Sequence, residues 1–253
     1  MRYLILSDIH SNLEALQSVM EAASGQYDKV VCCGDLVGYG PDPNAVVDWV
    51  RENATYIVRG NHDKACSGLT DADDFNEAAR ESAFWTRDCL TPENMHYLRN
   101  LPQGPQGVLA HFSILHGSPS DEDEYLHTLS QAAEEFLLLT QRVSFFGHTH
   151  HQGGFVRSGN RITEVPLQEV SEGVVVGMKT RGVLDIQAEE SYLLNPGSVG
   201  QPRDLDNRAA FAIFDTEGWV EYRRVSYDVN TTMRKIFQAG LPESLGYRLQ
   251  IGR

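Results

Sequence analysis

The stretch RVSFFGHTHHQGG, from Arg142 to Gly154, places three of the nine histidines of the chain within four consecutive positions. These histidines directly follow an apolar run that is typical of a buried β-strand. A histidine cluster at the end of such a strand is either a metal site or a polar turn. If it is a metal site, oxygen ligands are expected at the ends of neighbouring strands.

Four other apolar runs in the first half of the chain have the same form. They are YLIL (residues 3–6), KVVCC (29–33), TYIV (55–58) and FSIL (112–115). Helical patterns are predicted at residues 13–23, 42–50, 75–90, 92–98 and 129–141. Alternation of strands and helices predicts a largely parallel sheet with right-handed crossovers.

After Gly154 the pattern changes to apolar runs without long helices between them, which favours antiparallel strands. The stretch FDTEGWVEY predicts a hairpin with Gly218 in its turn, and a last helix is predicted at Val229–Gln238. The runs lie at Ile162–Val170, Gly173–Met178, Val183–Ile186, Tyr192–Leu194 and Ala209–Phe214. We interpret residues 1–253 as a single α/β domain.

Composition limits the partners that the chain is expected to have. No stretch approaches the roughly 20 apolar residues of a membrane span, so no membrane partner is expected. The formal net charge of −14 disfavours binding of long nucleic acids, because an acidic surface repels their phosphates. The four cysteines have no CxxC spacing, which favours a reduced, cytoplasmic protein.

Each of the five early runs ends in polar residues that can bind a metal ion. The ends are Asp8-Ile9-His10, Gly34-Asp35, Gly60-Asn61-His62-Asp63, His116-Gly117 and Gly147-His148-Thr149-His150. Ligands of open parallel α/β sheets bind beyond the carboxyl ends of the strands, so these groups are expected on one rim. In an extended chain, residues i and i+2 point the same way, so Asp8 with His10, and His148 with His150, can each address a common centre. A mixed imidazole and carboxylate set without cysteine argues against a structural zinc site.

The series D-x-H, GD, GNHD, HG and GHTH resembles the calcineurin-like metallophosphoesterase superfamily over residues 1–150. The segment NPGSVGQPR, Asn195 to Arg203, is most similar to the small prokaryotic phosphoesterase branch of that group. The resemblance implies an α/β fold of two packed mixed β-sheets flanked by helices, in four layers. It also implies a metal-dependent phosphoric ester hydrolase, acting as a phosphatase or a phosphodiesterase.

The resemblance further implies two metal ions that share one ligand. One ion would be bound by Asp8, His10 and His150, the second by Asn61, His116 and His148, and both by Asp35. An aspartate can span two cations roughly 3.5–4 Å apart, which an imidazole cannot. The ions would reverse the local charge and generate a bridging hydroxide that attacks phosphorus. Manganese is the expected metal, with iron, zinc, cobalt and nickel as alternatives.

Three further residues have predicted roles. His62 is not needed as a ligand and is predicted to protonate the leaving group as a general acid. Asp63 is predicted to hold the His62 ring and favour its charged form. The segment ending at Arg203 is predicted to border the metal site, with Arg203 reaching the substrate phosphate through its planar guanidinium group. The alternative for this segment is an ordinary connecting loop.

Other classes of protein fit the residues less well. The HxHxDH signature of metallo-β-lactamase-like hydrolases fails, because His151, Gln152 and Gly153 follow His150. An amidohydrolase barrel would have HxH after its first strand, where this chain has Asp8-Ile9-His10. A non-catalytic metal-binding scaffold and a nuclease remain alternatives. We expect a small phosphate ester, a dinucleotide or a phosphopeptide as the substrate.

Overall fold

The computed structural model of the chain describes residues 1–167, 171–172 and 178–253. Within these ranges the strands form two sheets. Across the seven-stranded sheet the order is β3 (Ala54–Ile57), β2 (Lys29–Cys32), β1 (Arg2–Leu6), β12 (Ala209–Asp215), β13 (Trp219–Val225), β10 (Met178–Asp185) and β9 (Ser171–Glu172). Across the six-stranded sheet it is β4 (Gln106–Val108), β5 (Phe112–Ile114), β6 (Val143–Phe145), β11 (Glu190–Asn195), β7 (Gly153–Ser158) and β8 (Arg161–Glu164).

Both sheets combine parallel and antiparallel pairs. In the seven-stranded sheet β1, β2 and β3 run parallel, and β12 pairs with β1 in the antiparallel direction. In the six-stranded sheet β5, β6 and β11 run parallel, whereas β4 and β7 are antiparallel to their neighbours. The predicted hairpin around Gly218 is present as β12 and β13.

The helices are α1 (Leu13–Ala23), α2 (Pro43–Asn53), α3 (Asn61–Ser67), α4 (Glu77–Cys89), α5 (Pro92–Arg99), α6 (Leu129–Glu135), α7 (Val229–Gln238) and α8 (Glu243–Ile251). Local signals explain where several of them begin. Asn12 caps α1 by accepting a hydrogen bond from the Ala15 amide, and proline opens both α2 and α5.

The side chains of β1 show how the layers pack, since neighbours along a strand point to opposite faces. Leu4 and Leu6 are buried in one core with apolar residues of α1 and α2. Tyr3 and Ile5 are buried in a second core, between the sheets, with residues such as Phe145 of β6. A third core lies under α6 on the outer side of the six-stranded sheet. The predicted two mixed sheets flanked by helices in four layers are therefore confirmed.

The prediction of one largely parallel sheet for the first five strands is wrong. The first three belong to the seven-stranded sheet, whereas β5 and β6 belong to the six-stranded sheet. Three consecutive helices, α3 to α5, separate β3 from the next strand, and the chain changes sheets after them. Apolar runs of similar composition do not reveal such a change, because core strands of either sheet have the same kind of sequence.

Most of the predicted helices are confirmed, including the last one at Val229–Gln238. The helix predicted at 129–141 ends at Glu135, and α3 and α8 were not predicted. Residues 173–177 of the predicted run Gly173–Met178 and residues 168–170 of the run Ile162–Val170 lie outside the described residues. Among the described residues, no helix is long and apolar enough to cross a membrane.

Candidate metal centre

The polar residues at the ends of the five predicted strands lie together, although these strands belong to two different sheets. The metal-binding atoms of Asp8, His10, Asp35 and His150 lie within 4.8 Å of one another, as do those of Asp35, His116 and His148. All of these side chains are buried, and Asp35 belongs to both groups. Oδ1 of Asn61 is 3.2 Å from Nε2 of His116, so the seventh predicted ligand lies beside the second group.

Backbone carbonyl groups fix the orientation of three of the histidine rings. Nδ1 of His10, His116 and His150 each lies within hydrogen-bonding distance of a carbonyl oxygen, at 2.9, 2.8 and 2.6 Å. The accepting carbonyls are those of Val37, Cys33 and Gln201. A ring that donates from Nδ1 has a lone pair on Nε2, which is the arrangement of a metal-binding histidine. Nε2 of His10 lies 3.2 Å from Nε2 of His150, and two lone pairs so close are stabilised by a cation between them.

The ring of His148 is held through its other nitrogen. Its Nε2 lies 3.0 Å from the carbonyl oxygen of Asp123, which leaves Nδ1 as the free ring nitrogen. The ring of Tyr125 stacks on it, with the centroids 3.7 Å apart. The Asp123 carboxylate accepts a hydrogen bond from the buried Lys64 ammonium group at 2.6 Å, and Lys64 also binds Glu122. Lys64 therefore fixes the loop that orients His148.

At the centre, Oδ2 of Asp8 and Oδ2 of Asp35 are buried and have no hydrogen-bond partner among the described residues. Burial raises the pKa of Asp8 to about 7. Burial also acts to raise the pKa of Asp35, but the neighbouring His116 and His62 rings hold it well below its usual range. Unpaired carboxylate oxygens that face imidazole lone pairs fit divalent cations, since burying such groups without a partner is costly.

The backbone of the centre is strained, and the predicted reason for its geometry is wrong. Five candidate ligands have left-handed backbone conformations, with φ of 53° at Asp8, 48° at His10, 55° at Asp35, 65° at His148 and 60° at His150. An extended chain, in which residues i and i+2 share a face, is therefore not what aligns the two pairs. Non-glycine residues in this region cost of order 1–3 kcal/mol each and concentrate at functional sites.

Close packing around the carboxylates requires glycine. A Cβ atom on Gly60 would overlap the Asp35 carboxylate, and one on Gly147 would overlap the Ser7 hydroxyl group. The glycines of the GD, GNHD and GHTH motifs thus allow the backbone to lie close to the candidate ligands.

His62 lies at the edge of the centre and is buried. Its ring contacts those of Tyr39, Phe75 and His10, at centroid distances of 4.3, 4.5 and 4.9 Å. Its backbone amide donates to Oδ1 of Asp35 at 2.9 Å, and its buried Nδ1 has no hydrogen-bond partner among the described residues. Burial lowers the pKa of His62 well below its usual value.

The predicted contact between Asp63 and the His62 ring is absent from the described residues. The Asp63 carboxylate instead accepts backbone amide hydrogen bonds from Gly60 at 2.9 Å, Asp35 at 2.9 Å and Leu36 at 2.8 Å. Asp63 is the third residue of α3, where a carboxylate reaches back to the amides at the start of the helix. Asp63 therefore joins α3 to the loop that carries Asp35.

The segment Asn195–Arg203 borders the centre, as the sequence predicted. The amides of Val199 and Gly200 donate to the carbonyl oxygens of Ser7 and Asp8, both at 3.0 Å. The Arg203 guanidinium group donates to the Tyr39 hydroxyl at 3.3 Å and to Oε1 of Gln201 at 2.9 Å.

Sequence reasoning missed several residues at the centre because no local motif marks them. They are Tyr39, Lys64, Phe75, Tyr125 and Gln201. Tyr39 and Phe75 come from loops that contain no recognised motif, and Gln201 acts through its backbone. A cavity of about 350 Å³ lies beside the GHTH segment, lined in part by Thr149, His151 and His127.

Comparison with known proteins gives consistent results. A family model described as a calcineurin-like phosphoesterase superfamily domain matches residues 1–218. An uncharacterized protein of Methanocaldococcus jannaschii is 33% identical over 255 residues, which cover 98% of this chain and 97% of that protein. A crystal structure of a metallophosphoesterase from Sphaerobacter thermophilus is 37% identical, with a TM-score of 0.83, and covers 100% of this chain and 99% of that one. A hypothetical protein from Pyrococcus horikoshii OT3 shares the fold, with 18% identity, a TM-score of 0.75 and coverage of 100% and 98%.

Proposed function

The chain belongs to the calcineurin-like phosphoesterase superfamily, and from this membership and the geometry of its centre we propose that it is a dinuclear-metal-dependent hydrolase of phosphate esters. The observation that carries the proposal is the pair of buried Asp/His groups joined by Asp35. Asp8, His10 and His150 would hold one ion, and Asn61, His116 and His148 the other. When bound, two divalent ions lower the pKa of a shared water and offset the charge of phosphate.

The residues around the ions have separate tasks. Carbonyl groups hold three imidazole rings with Nε2 toward the carboxylates, and Asp123 holds His148 with Nδ1 free. Asp63 keeps the loop of Asp35 against the start of α3. Because these ligands are already held in place, little free energy is lost in reorganising them when an ion binds.

His62 is the proposed general acid. Its ring lies 4.9 Å from that of His10, yet it belongs to neither group of candidate ligands. Burial keeps the free ring neutral, and the negative charge of a bound ester raises its pKa so that it can carry a proton. The proton would pass to the oxygen of the departing alcohol.

Two other functions are weaker candidates. Complete sets of candidate ligands, together with His62, favour an enzyme over a non-catalytic metal-binding scaffold. The net charge of −14 disfavours a nuclease that binds long nucleic acids. Small phosphate esters, dinucleotides and phosphopeptides remain the proposed substrates.

The proposal is tested by removing and restoring the metal. We expect that chelation abolishes hydrolysis of nitrophenyl phosphate and bis(nitrophenyl) phosphate, and that manganese, cobalt or nickel restores it. The restored protein is then assayed with phosphomonoesters, phosphodiesters, dinucleoside polyphosphates and phosphopeptides. Full activity after complete removal of metal would refute the proposal, and metal binding without hydrolysis of any ester would favour the scaffold.

Arg203→Ala is expected to weaken substrate binding, because the guanidinium group offers paired donors to phosphate oxygens. A charged hydrogen bond of this kind contributes on the order of 1.5–3 kcal/mol, so KM should rise roughly ten- to a hundredfold. If the contact is equal in the ground and transition states, kcat stays nearly unchanged. Steady-state kinetics and metal analysis measure both effects, and the metal content should not change.

Two further variants separate binding from structure. Arg203→Lys should recover only part of the loss, since lysine lacks the planar fork. Arg234→Ala changes an exposed arginine of α7 and serves as the control. Unaltered kinetics with a lowered melting temperature in Arg203→Ala would make Arg203 structural instead.

A further inference from the structure

Tyr39 is close to two arginines that come from different parts of the chain. The guanidinium carbon of Arg203 lies 5.6 Å from the centroid of the Tyr39 ring, and that of Arg248 lies 5.9 Å from it. Tyr39 is also in contact with the rings of His10 and His62. Two positive charges are therefore gathered beside the candidate metal centre.

Neither charge is neutralised by a carboxylate side chain among the described residues. Arg203 donates to the neutral Tyr39 hydroxyl and Gln201 amide oxygen, and its Nε is buried without a partner. Arg248 donates from Nε to the main-chain oxygen of Arg253, which belongs to the carboxylate at the end of the printed sequence, so Arg203 carries the less compensated of the two charges. The acidic residue next along the chain, Asp204, is paired with Arg224.

This arrangement is costly without an anion. Arg203 and Arg248 are both partly buried, and burial, followed by the charge of Arg203, lowers the pKa of Arg248. Like charges that share a partly desolvated region repel each other, and a buried charge needs a counter-ion. Neutral partners orient the Arg203 guanidinium group but leave its positive charge free to bind an anion.

Arg248 is positioned by an element outside the residues that the family model matches. The match ends at residue 218, whereas Arg248 lies on α8. Leu245 and Leu249 of α8 pack in one apolar cluster with Tyr39, and both border a small gap next to His10. The last two helices thus form a wall of the candidate centre and present a second arginine there.

We propose that Arg248 extends the phosphate contact of Arg203 into an anion subsite beside the metal centre, and that the substrate carries a second phosphate group near the one that is hydrolysed. This inference rests on the proposed function, because the scissile phosphate has to lie at the metal centre. The shared chemistry is a pair of closely spaced phosphates, as in a phosphoanhydride or an organic bisphosphate. Two guanidinium groups match the additional charge of such a compound, which a simple monoester lacks.

The test compares binding of one and two phosphonate groups to the manganese-loaded protein by calorimetry. Methylphosphonate carries a single anionic group, methylenebisphosphonate carries two as in an anhydride, and propylenebisphosphonate carries two that are further apart. We expect at least one bisphosphonate to bind about 10- to 100-fold more tightly than methylphosphonate. The bisphosphonate with the tighter binding identifies the spacing of the natural groups.

Variants of Arg248 then test whether this arginine causes the difference in affinity between the bisphosphonates and methylphosphonate. Arg248→Met is expected to remove most of the advantage of the bisphosphonate while leaving methylphosphonate binding and nitrophenyl phosphate hydrolysis within about twofold. Arg248→Lys, which retains the charge, should keep part of the advantage and guards against a folding defect in Arg248→Met. Arg234→Met on α7 is the matched control and should behave as the original protein does.

The outcomes separate this inference from the proposed function. Equal affinities for all three phosphonates, or an advantage that survives in Arg248→Met, would overturn the anion subsite even if nitrophenyl esters are hydrolysed. Absence of ester hydrolysis, together with a bisphosphonate advantage that depends on Arg248, would overturn the proposed function and leave the anion subsite in place.

Discussion

Asp35→Ala is expected to abolish hydrolysis and to remove both metal ions, a larger effect than the loss of any ligand that serves only one ion. Asp35 is the residue common to both groups of candidate ligands, and its Oδ2 lies 3.6 Å from Nε2 of His10 and 3.3 Å from Nε2 of His116. Losing a partner that only orients a ligand already costs about 10–100-fold in metal affinity or activity. Loss of a shared ligand should therefore cost more than about 100-fold in turnover, measured with nitrophenyl phosphate.

The comparison variants for Asp35 are His10→Ala and His116→Ala, each of which removes a ligand from one group only. Asp35→Asn keeps an oxygen that can accept the hydrogen bond from the His62 amide, but it removes the negative charge of the carboxylate. Asp48→Ala changes a partly exposed aspartate of α2 and should have no effect on turnover. The shared role would be wrong if Asp35→Ala retained more activity than both histidine variants.

His62→Ala is expected to slow turnover by about 10²–10⁴-fold while both metal ions stay bound, because general acid catalysis contributes that much. The ring is next to the centre and belongs to neither group of candidate ligands, which fits a proton donor to the leaving group. The loss should be greatest for esters of poor leaving groups such as alkyl alcohols. It should shrink for nitrophenyl esters, whose leaving group departs without a proton.

Metal analysis and thermal unfolding of His62→Ala provide the controls. The His62 ring packs against Tyr39 and Phe75, so a decrease in stability is expected to accompany the substitution. His62→Gln fills more of the same space and distinguishes lost packing from lost proton transfer. An equal loss of turnover for good and poor leaving groups would contradict the general-acid role.

The sequence predicted which residues meet, but not how the backbone brings them together. Polar residues at five strand ends were enough to group Asp8, His10, Asp35, His116, His148 and His150. Apolar runs did not indicate that two sheets supply those ends, because strands of either sheet have a similar apolar composition. The i, i+2 reasoning gave the correct Asp8–His10 pair through an extended geometry that their left-handed backbone excludes, whereas His148 and His150 fall in different groups of candidate ligands.

The parts of the centre that the sequence did not predict depend on contacts between distant segments. Lys64 reaches Asp123 across 59 positions of the chain, and Arg203 reaches Tyr39 across 164. Asp63 was assigned to the neighbouring His62 ring, yet its place in the first turn of α3 directs the carboxylate to backbone amides. Local motifs carry no information about such partners, whereas the ligands are marked by their positions after apolar runs.

The central claim, two ions that share Asp35, is tested most directly by counting bound manganese per chain. Elemental analysis of the dialysed protein should give two ions in the original chain, one in His10→Ala, one in His116→Ala and none in Asp35→Ala. The protein concentration is set so that single-ion sites stay filled. A single ion in the original chain, or two ions retained in Asp35→Ala, would contradict the shared ligand and with it the proposed dinuclear mechanism.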